Sequence, residues 1–311
     1  MDIIKWNGKP ISKPGWYSGI SIEQYHSAGI CNGPAVSSSN LRTCWRKSPA
    51  HAFAEWCENP DAEPRTPTRA MTLGTAAHHM LLGEDGFKLK FIAQPATYRD
   101  KVTAQSKPWN NNAGFCKDWT ATQHEAGRTP VTIAELDAIV AMSRSLALDP
   151  LVNDGLLRGR VECSGFIRDK ETGLWIKVRP DVIPQTTADF VDLKTAADVT
   201  TPALQSSIRS YGYHQQGGLI WEACLQLGLP FETFVLMFVE TSAPYCARAV
   251  PLTDDDLARG RQQNRAMLRR FAHCMNAKHW PGPGEGSLQA MALSTDERAR
   301  IDERLKYEGL S

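Results

Sequence analysis

The sequence predicts an α/β domain in which a central mixed β-sheet is flanked by helices. Three observations carry this reading. Residues 160–194 show strand-like alternation with tight turn signals between runs. The segments on either side show apolar residues at helical spacing behind good capping residues. The chain is 42% hydrophobic and 22% charged, the composition of a packed protein. Its 311 residues fit one large domain or two small ones. We expect residues 1–280 to form the main domain, with an irregular N-terminal region, and residues 281–311 a linker and a short helix.

Along the chain, Gly and Pro are frequent up to Pro34, so regular structure starts late. Ser37, Ser38 and Ser39 offer N-caps for a helix on which Leu41, Cys44 and Trp45 recur. Pro60, Pro64 and Pro67 make residues 59–67 a loop. A second helix starts near Gly74 and carries His78 and His79. Residues 107–128 are polar and weakly patterned, which reads as a mobile excursion. Thr132 caps a helix to about Leu148, with Ile133, Leu136, Ile139 and Val140 on one face.

Strands are expected at residues 160–168, 174–181 and 189–194, and short connections make them an antiparallel meander. Thr201-Pro202 opens a helix in the favoured order and continues to about Leu227, kinked at Tyr211-Gly212. Two more strands are expected at 231–240 and 246–252. Thr253 caps a last long helix whose Asp254, Asp255 and Asp256 suit its positive N-terminal end, and Pro281 stops it. Residues 295–306 form a short charged helix.

Several classes are excluded. No apolar run is long enough to span a bilayer, and the first residues lack the apolar core of a secretion signal. A cytoplasmic protein without a membrane partner is expected. Eight cysteines occur, none in a CxxC pair, so a zinc ribbon is not signalled and reduced thiols are expected. The net charge is +1, so any contact with nucleic acid must use local positive patches.

The chemistry concentrates in Pro180-Asp181, then ten residues, then Asp192-Leu193-Lys194. Period two places Asp192 and Lys194 on one face of a strand. A hairpin can bring Asp181 beside Asp192, and two adjacent carboxylates repel unless a cation sits between them. A hard divalent ion, Mg²⁺ or Mn²⁺, answers that need, with the Leu193 carbonyl close enough to be a further ligand. Such a site can polarise a phosphodiester and lower the pKa of a bound water. Lys194 can orient the attacking water or stabilise charge on phosphorus.

The surroundings sharpen this reading. Gly74-Thr75-Ala76-Ala77-His78-His79-Met80-Leu81-Leu82 resembles the helix motif of the exodeoxyribonuclease VIII (RecE) nucleases. Val161-Glu162, Thr172-Gly173-Leu174, residues 177–181 and residues 189–195 resemble that family's central strands. Tyr213-His214-Gln215-Gln216 is similar to the start of its next helix, and residues 37–51 resemble an N-terminal element. The resemblance covers roughly residues 20–255 in family order. It implies a PD-(D/E)XK (restriction-endonuclease-like) fold.

It also implies roles. His78 becomes a metal-site residue, as a direct ligand or as the holder of a metal-bound water. Glu162 supports a second ion or pairs with a basic neighbour such as Lys177. Gln216 lines the active site, orienting substrate or water. Tyr213 and His214 become DNA-groove residues. Apart from the resemblance, Arg42, Arg46 and Lys47 form a small basic set beside the Ser48-Pro49 element, for DNA contact or as a solvated face. Arg259, Arg261, Arg265, Arg269 and Arg270 track phosphates or form a solvated helix face.

The implied function is a Mg²⁺-dependent exodeoxyribonuclease acting on double-stranded DNA ends, 5′ to 3′. It makes single-stranded tails for recombination, alongside a phage-type single-strand annealing protein. Low net charge favours a homo-oligomeric ring over one long basic groove, since patches from several subunits add around one duplex. A Cas4-like or helicase-attached nuclease would share the metal site. Its cluster-bearing forms need closely spaced cysteines, and Cys224, Cys246 and Cys274 are scattered. A non-catalytic DNA-binding protein on the same fold is the remaining alternative, and Asp181, Asp192 and Lys194 together argue against it.

Overall fold

A computed structural model of the chain describes residues 2–63, 68–82, 87–100, 103–185, 187–288 and 290–309. The N-terminal part holds β1 (Ile3–Lys5), β2 (Gly15–Ser18), α1 (Ile22–His26), β3 (Ala35–Ser37), α2 (Ser38–Arg46) and α3 (Pro49–Ala54). Next come α4 (Arg69–Leu81), α5 (Phe87–Lys90), β4 (Phe91–Ala93), β5 (Thr97–Arg99), β6 (Ser106–Pro108), α6 (Gly114–Glu125), β7 (Thr129–Val131), α7 (Ile133–Leu148) and α8 (Pro150–Asn153). The centre holds β8 (Gly159–Val161), β9 (Ser164–Arg168), β10 (Trp175–Val178), β11 (Val182–Pro184) and β12 (Asp189–Ala196). The chain continues through α9 (Thr201–Tyr211), α10 (Tyr213–Leu227), β13 (Thr233–Glu240), β14 (Ala247–Pro251), α11 (Asp254–Ala277) and α12 (Thr295–Tyr307).

Two five-stranded sheets form, in the orders β1-β2-β9-β10-β3 and β14-β13-β12-β11-β8. The second is the frame of the site. β12 pairs parallel with β13 over its whole length, and β13 pairs antiparallel with β14. Alternation along β12 and β13 serves two cores. Phe190, Phe234, Leu236 and Phe238 face the helices α10 and α11. Val191, Leu193, Val235, Met237 and Val239 face α4 and α7, meeting Ala76, Ala77, Ile139 and Met142. With both faces covered, residues 233–240 read as one apolar run, as a strand buried on both sides must. Truncating Phe238 or Phe190 to alanine would cost roughly 3–5 kcal/mol.

The central strands are not one meander. The segment 160–168 splits into β8 and β9 because Glu162 takes a left-handed conformation, φ 57°. Residues 174–181 end as β10 at Val178, and β11 starts after Pro180, which cannot donate to a ladder. The β9–β10 hairpin therefore belongs to the first sheet, while β8, β11 and β12 belong to the second. Asp181 sits where the chain passes back from one sheet to the other.

Other elements also depart from the sequence reading. The second helix begins at Arg69, capped by the Thr68 hydroxyl on the Met71 N–H, rather than near Gly74. The segment 107–128 contains α6, which buries Cys116 and Gln123. Of the loop expected at 59–67, residues 64–67 lie outside the described residues; 59–63 contain turns. The helix from Thr132 carries a complete capping box with Glu135, and Thr253 caps α11. α9 ends at Tyr211 and α10 starts at Tyr213, with Gly212 at φ 65° between them. The eight cysteines are all free. Among the described residues, no helix is long and apolar enough to cross a membrane.

Candidate active site

The site is built on the outer half of β12. Period two turns Asp192 and Lys194 to the α10 face, and the Lys194 ammonium pairs with Asp192 Oδ2. Asp192 is buried. From α10, Gln216 Nε2 donates to Asp192 Oδ1 at 2.8 Å. β11 has already diverged from β12 here, and the Asp181 side chain takes its place: the Leu193 N–H donates to Asp181 Oδ2 at 2.7 Å. A strand residue points its N–H and C=O to the same edge. The Leu193 carbonyl therefore faces the Asp181 side as well, while its side chain packs in the opposite core.

His78 arrives from the helix on the other face of the sheet. Its Nδ1 lies 3.6 Å from Asp181 Oδ2. Gly74, one turn earlier, faces Thr195 of β12, where a Cβ would make only an ordinary contact with Thr195 Oγ1 at 3.5 Å. His79 is buried, its ring tilted against Phe91 and its Nε2 3.4 Å from Lys90 Nζ, and it touches the cleft without reaching Asp181 as His78 does. The helix thus separates the two histidines.

Burial and the Asp192 charge push the Asp181 carboxyl above its usual range, against the pull of His78, Lys194 and the Leu193 N–H. Burial works to lower the Lys194 pKa, but Asp192 and Asp181 outweigh it and hold the ammonium above its ordinary range. Lys194 also stands 5.2 Å from the centre of the Tyr213 ring, a cation–π distance.

His78, Asp181, Lys194, Tyr213 and Gln216 line one cleft of about 630 Å³, together with Glu162, Arg42, Tyr211 and Arg179, while Asp192 is buried behind Lys194 and Gln216. Glu162 pairs with Arg179 at 3.9 Å rather than with Lys177. Lys177 is buried and donates to the Tyr25 carbonyl at 2.8 Å. Arg42 reaches across to the Tyr211 carbonyl at 2.6 Å. Two expected DNA contacts lie outside the cleft lining. His214 bonds Gln263 of α11 at 2.7 Å, and Lys47 pairs at the surface with Glu55 at 3.8 Å. The arginines of α11 are mostly paired: Arg259 with Asp255 and Asp256, Arg261 with Glu222, Arg265 with Asp169, Arg269 with Glu171. That face is a network of ion pairs rather than a free basic track.

Sequence reasoning missed Arg179 and Tyr211. Arg179 stands two residues before Asp181 and alternates with Lys177, a signal that strand periodicity offered. Tyr211 was visible only as part of a kink.

Among the described residues, no three His, Cys, Asp or Glu side chains converge closely enough to hold a metal ion as they stand. The donor set nevertheless fits a hard cation. Two carboxylates and a backbone carbonyl supply oxygen, an imidazole stands beside them, and the charge of Asp192 is at present met by the Lys194 ammonium.

A mixed sheet with helices on both faces, with Asp181 just before β11 and Asp192-x-Lys194 on β12, is the PD-(D/E)XK-like arrangement. The profile of a family described as PDDEXK-like domain of unknown function (DUF3799) matches residues 37–289, and the chain belongs to that family. No curated protein sequence matches the chain. Among solved structures it is similar in fold to a proposed exonuclease from Eubacterium rectale, at TM-score 0.59 and 13% identity over 90% of this chain and 98% of that one. More distant likenesses are a phage-related exonuclease from Haemophilus somnus 129PT and an alkaline exonuclease from Laribacter hongkongensis. The first gives TM-score 0.29 and 13% identity over 65% of this chain and 94% of that one. The second gives 0.25 and 16% over 54% and 86%.

Proposed function

We propose that this protein is a metal-dependent exodeoxyribonuclease that hydrolyses phosphodiesters from duplex ends. The observation that carries the reading is the convergence of Asp181, from the β10–β11 connection, with Asp192 and Lys194 of β12, Gln216 of α10 and His78 of α4. The description of the Eubacterium rectale protein as an exonuclease accords with it.

Asp181, Asp192 and the Leu193 carbonyl would hold Mg²⁺ or Mn²⁺, with His78 at the edge of that set. When bound, the ion polarises the phosphodiester and lowers the pKa of water. The protein's own groups do the rest. Gln216 fixes the Asp192 carboxylate by its amide hydrogen bond, so that the carboxylate is oriented before substrate arrives. Lys194, paired with Asp192 at the site, is placed to stabilise negative charge that develops on phosphate oxygens or to orient the attacking water. Arg42 and Tyr213, on the same cleft wall, are placed to meet the DNA backbone. A second ion near Glu162 is disfavoured by the Arg179 guanidinium already beside it. A 5′ to 3′ direction, a role in making recombination tails with a single-strand annealing protein, and assembly as a ring complete the proposal.

Incubation of end-labelled linear duplex with the purified protein tests this. Mg²⁺ or Mn²⁺ should support release of nucleotides, and Ca²⁺ should bind with poor turnover. Full activity in excess EDTA would overturn the assignment.

A further inference from the structure

Tyr211 closes α9 and is 56% exposed, yet it lies on the wall of the site cleft. It is not part of the packed core. Its ring stacks on that of Tyr213, with centroids 5.6 Å apart and planes 26° from parallel. Tyr213 in turn carries Lys194 at 5.2 Å and leans on Phe238 at 6.2 Å. A chain of contacts thus runs from the reactive ammonium through a half-buried ring to an exposed one.

The exposed ring is held in place. Arg42 donates to the Tyr211 carbonyl at 2.6 Å. The next residue, Gly212, has φ 65°, and a Cβ there would crowd Gln215 Oε1 at 3.0 Å and Arg42 Cδ at 3.1 Å. The break between α9 and α10 thus takes a glycine, and the stack on Tyr213 limits the freedom the Tyr211 ring has left to lose. A rigid, solvent-facing aromatic beside a phosphate-directed cation fits the flat face of a nucleobase. A base inside a duplex has both faces stacked already, so the partner must be an unpaired or terminal base.

We infer that Tyr211 is a stacking platform for an unpaired nucleobase adjoining the cleaved phosphate, so that the enzyme engages a strand end opened by at least one base. This rests on the nuclease reading above for the position of the phosphate, but stacking itself can be measured without cleavage.

The experiment uses the full-length protein with Ca²⁺ and DNA carrying 2-aminopurine at the terminal, third or tenth nucleotide of one strand. Wild type and Tyr211→Phe should change the fluorescence of the probe at the end and leave the tenth position unaffected. Tyr211→Ala should lose that change and bind about ten-fold more weakly, the loss expected when one stacked base is released. In Mg²⁺, Tyr211→Ala should raise KM for blunt duplex while kcat stays near that of wild type. Equal fluorescence and affinity for Tyr211→Ala and wild type would overturn the platform, even if both degrade DNA. No fluorescence change at any position with wild type would overturn it too. A Tyr211-dependent signal with no hydrolysis in Mg²⁺ or Mn²⁺ would uphold stacking and sink the nuclease reading instead.

Discussion

Asp192 is met on one oxygen by Lys194 and on the other by Gln216, so each of these three side chains depends on the other two. Replacing Asp192 by Asn, or Asp181 or Lys194 by Ala, should lower kcat on the order of 10²-fold or more, the scale of losing a group that acts on developing charge. Circular dichroism should show the fold retained. Gln216→Leu keeps the volume but frees Asp192 Oδ1. It should cost roughly 10–100-fold in activity and weaken Mn²⁺ binding by calorimetry, as expected of a residue that orients a ligand. His78→Ala should impair turnover severely. His79→Ala should instead lower thermal stability, because that ring is buried against Phe91. Equal effects of the two histidine variants on turnover would remove the distinction. The carboxylates and the lysine were legible because a period of two and a turn suffice to unite them. Arg179 beside Glu162 was not, because the left-handed turn at Glu162 leaves no signature in a residue that normally avoids it.

Between elements, the contact that positions Gln216 is the crossing of α10 and α11. A Cβ on Gly260 would lie 2.2 Å from the His214 carbonyl oxygen, and one on Gly218 would lie 2.8 Å from the Arg261 nitrogen. Gly260→Ala must push α10 away, at about 1–3 kcal/mol of overpacking, and should lower both Tm and kcat. Unchanged kcat in a measurably destabilised variant would show that Gln216 is held by other means. A second clamp joins α11 to the β9–β10 turn. Asp169 accepts from Thr172 and from Arg265 at 2.6 Å each. Burial pushes its carboxyl up, but those hydrogen bonds and the guanidinium outweigh it and leave it below the ordinary value. A depressed carboxyl contributes stability above its unfolded pKa and loses it as pH falls through the folded one. Chemical denaturation should show Asp169→Asn costing about 2 kcal/mol at neutral pH and progressively less below about pH 4. Helices and their caps were readable from sequence because they are local. The split of residues 160–194 between two sheets was not, because it depends on which distant strand each piece meets: β10 pairs with Ala35–Ser37, and β12 with Thr233–Glu240.

For the molecule as a whole, the proposed ring and end dependence are argued from a net charge of +1. Linear duplex should be degraded and covalently closed circles spared in a gel assay; rapid nicking of circles would indicate an endonuclease. Light scattering giving a monomer at working concentration would remove the ring. The body of the fold extends at least to Trp280, which stacks on Phe53 at 4.6 Å and packs on Phe271. α12 buries none of its residues. Deleting residues 290–311 should therefore leave Tm and hydrolysis unchanged. The parallel pairing of β12 with β13 has one more consequence, which concerns synthesis. Asp192 and Lys194 precede in the chain both Gln216 and β13, the strand that holds β12 in the middle of its sheet. The proposed site therefore cannot be complete until synthesis has passed β13. Chain order alone thus postpones the proposed activity until most of the molecule has been made.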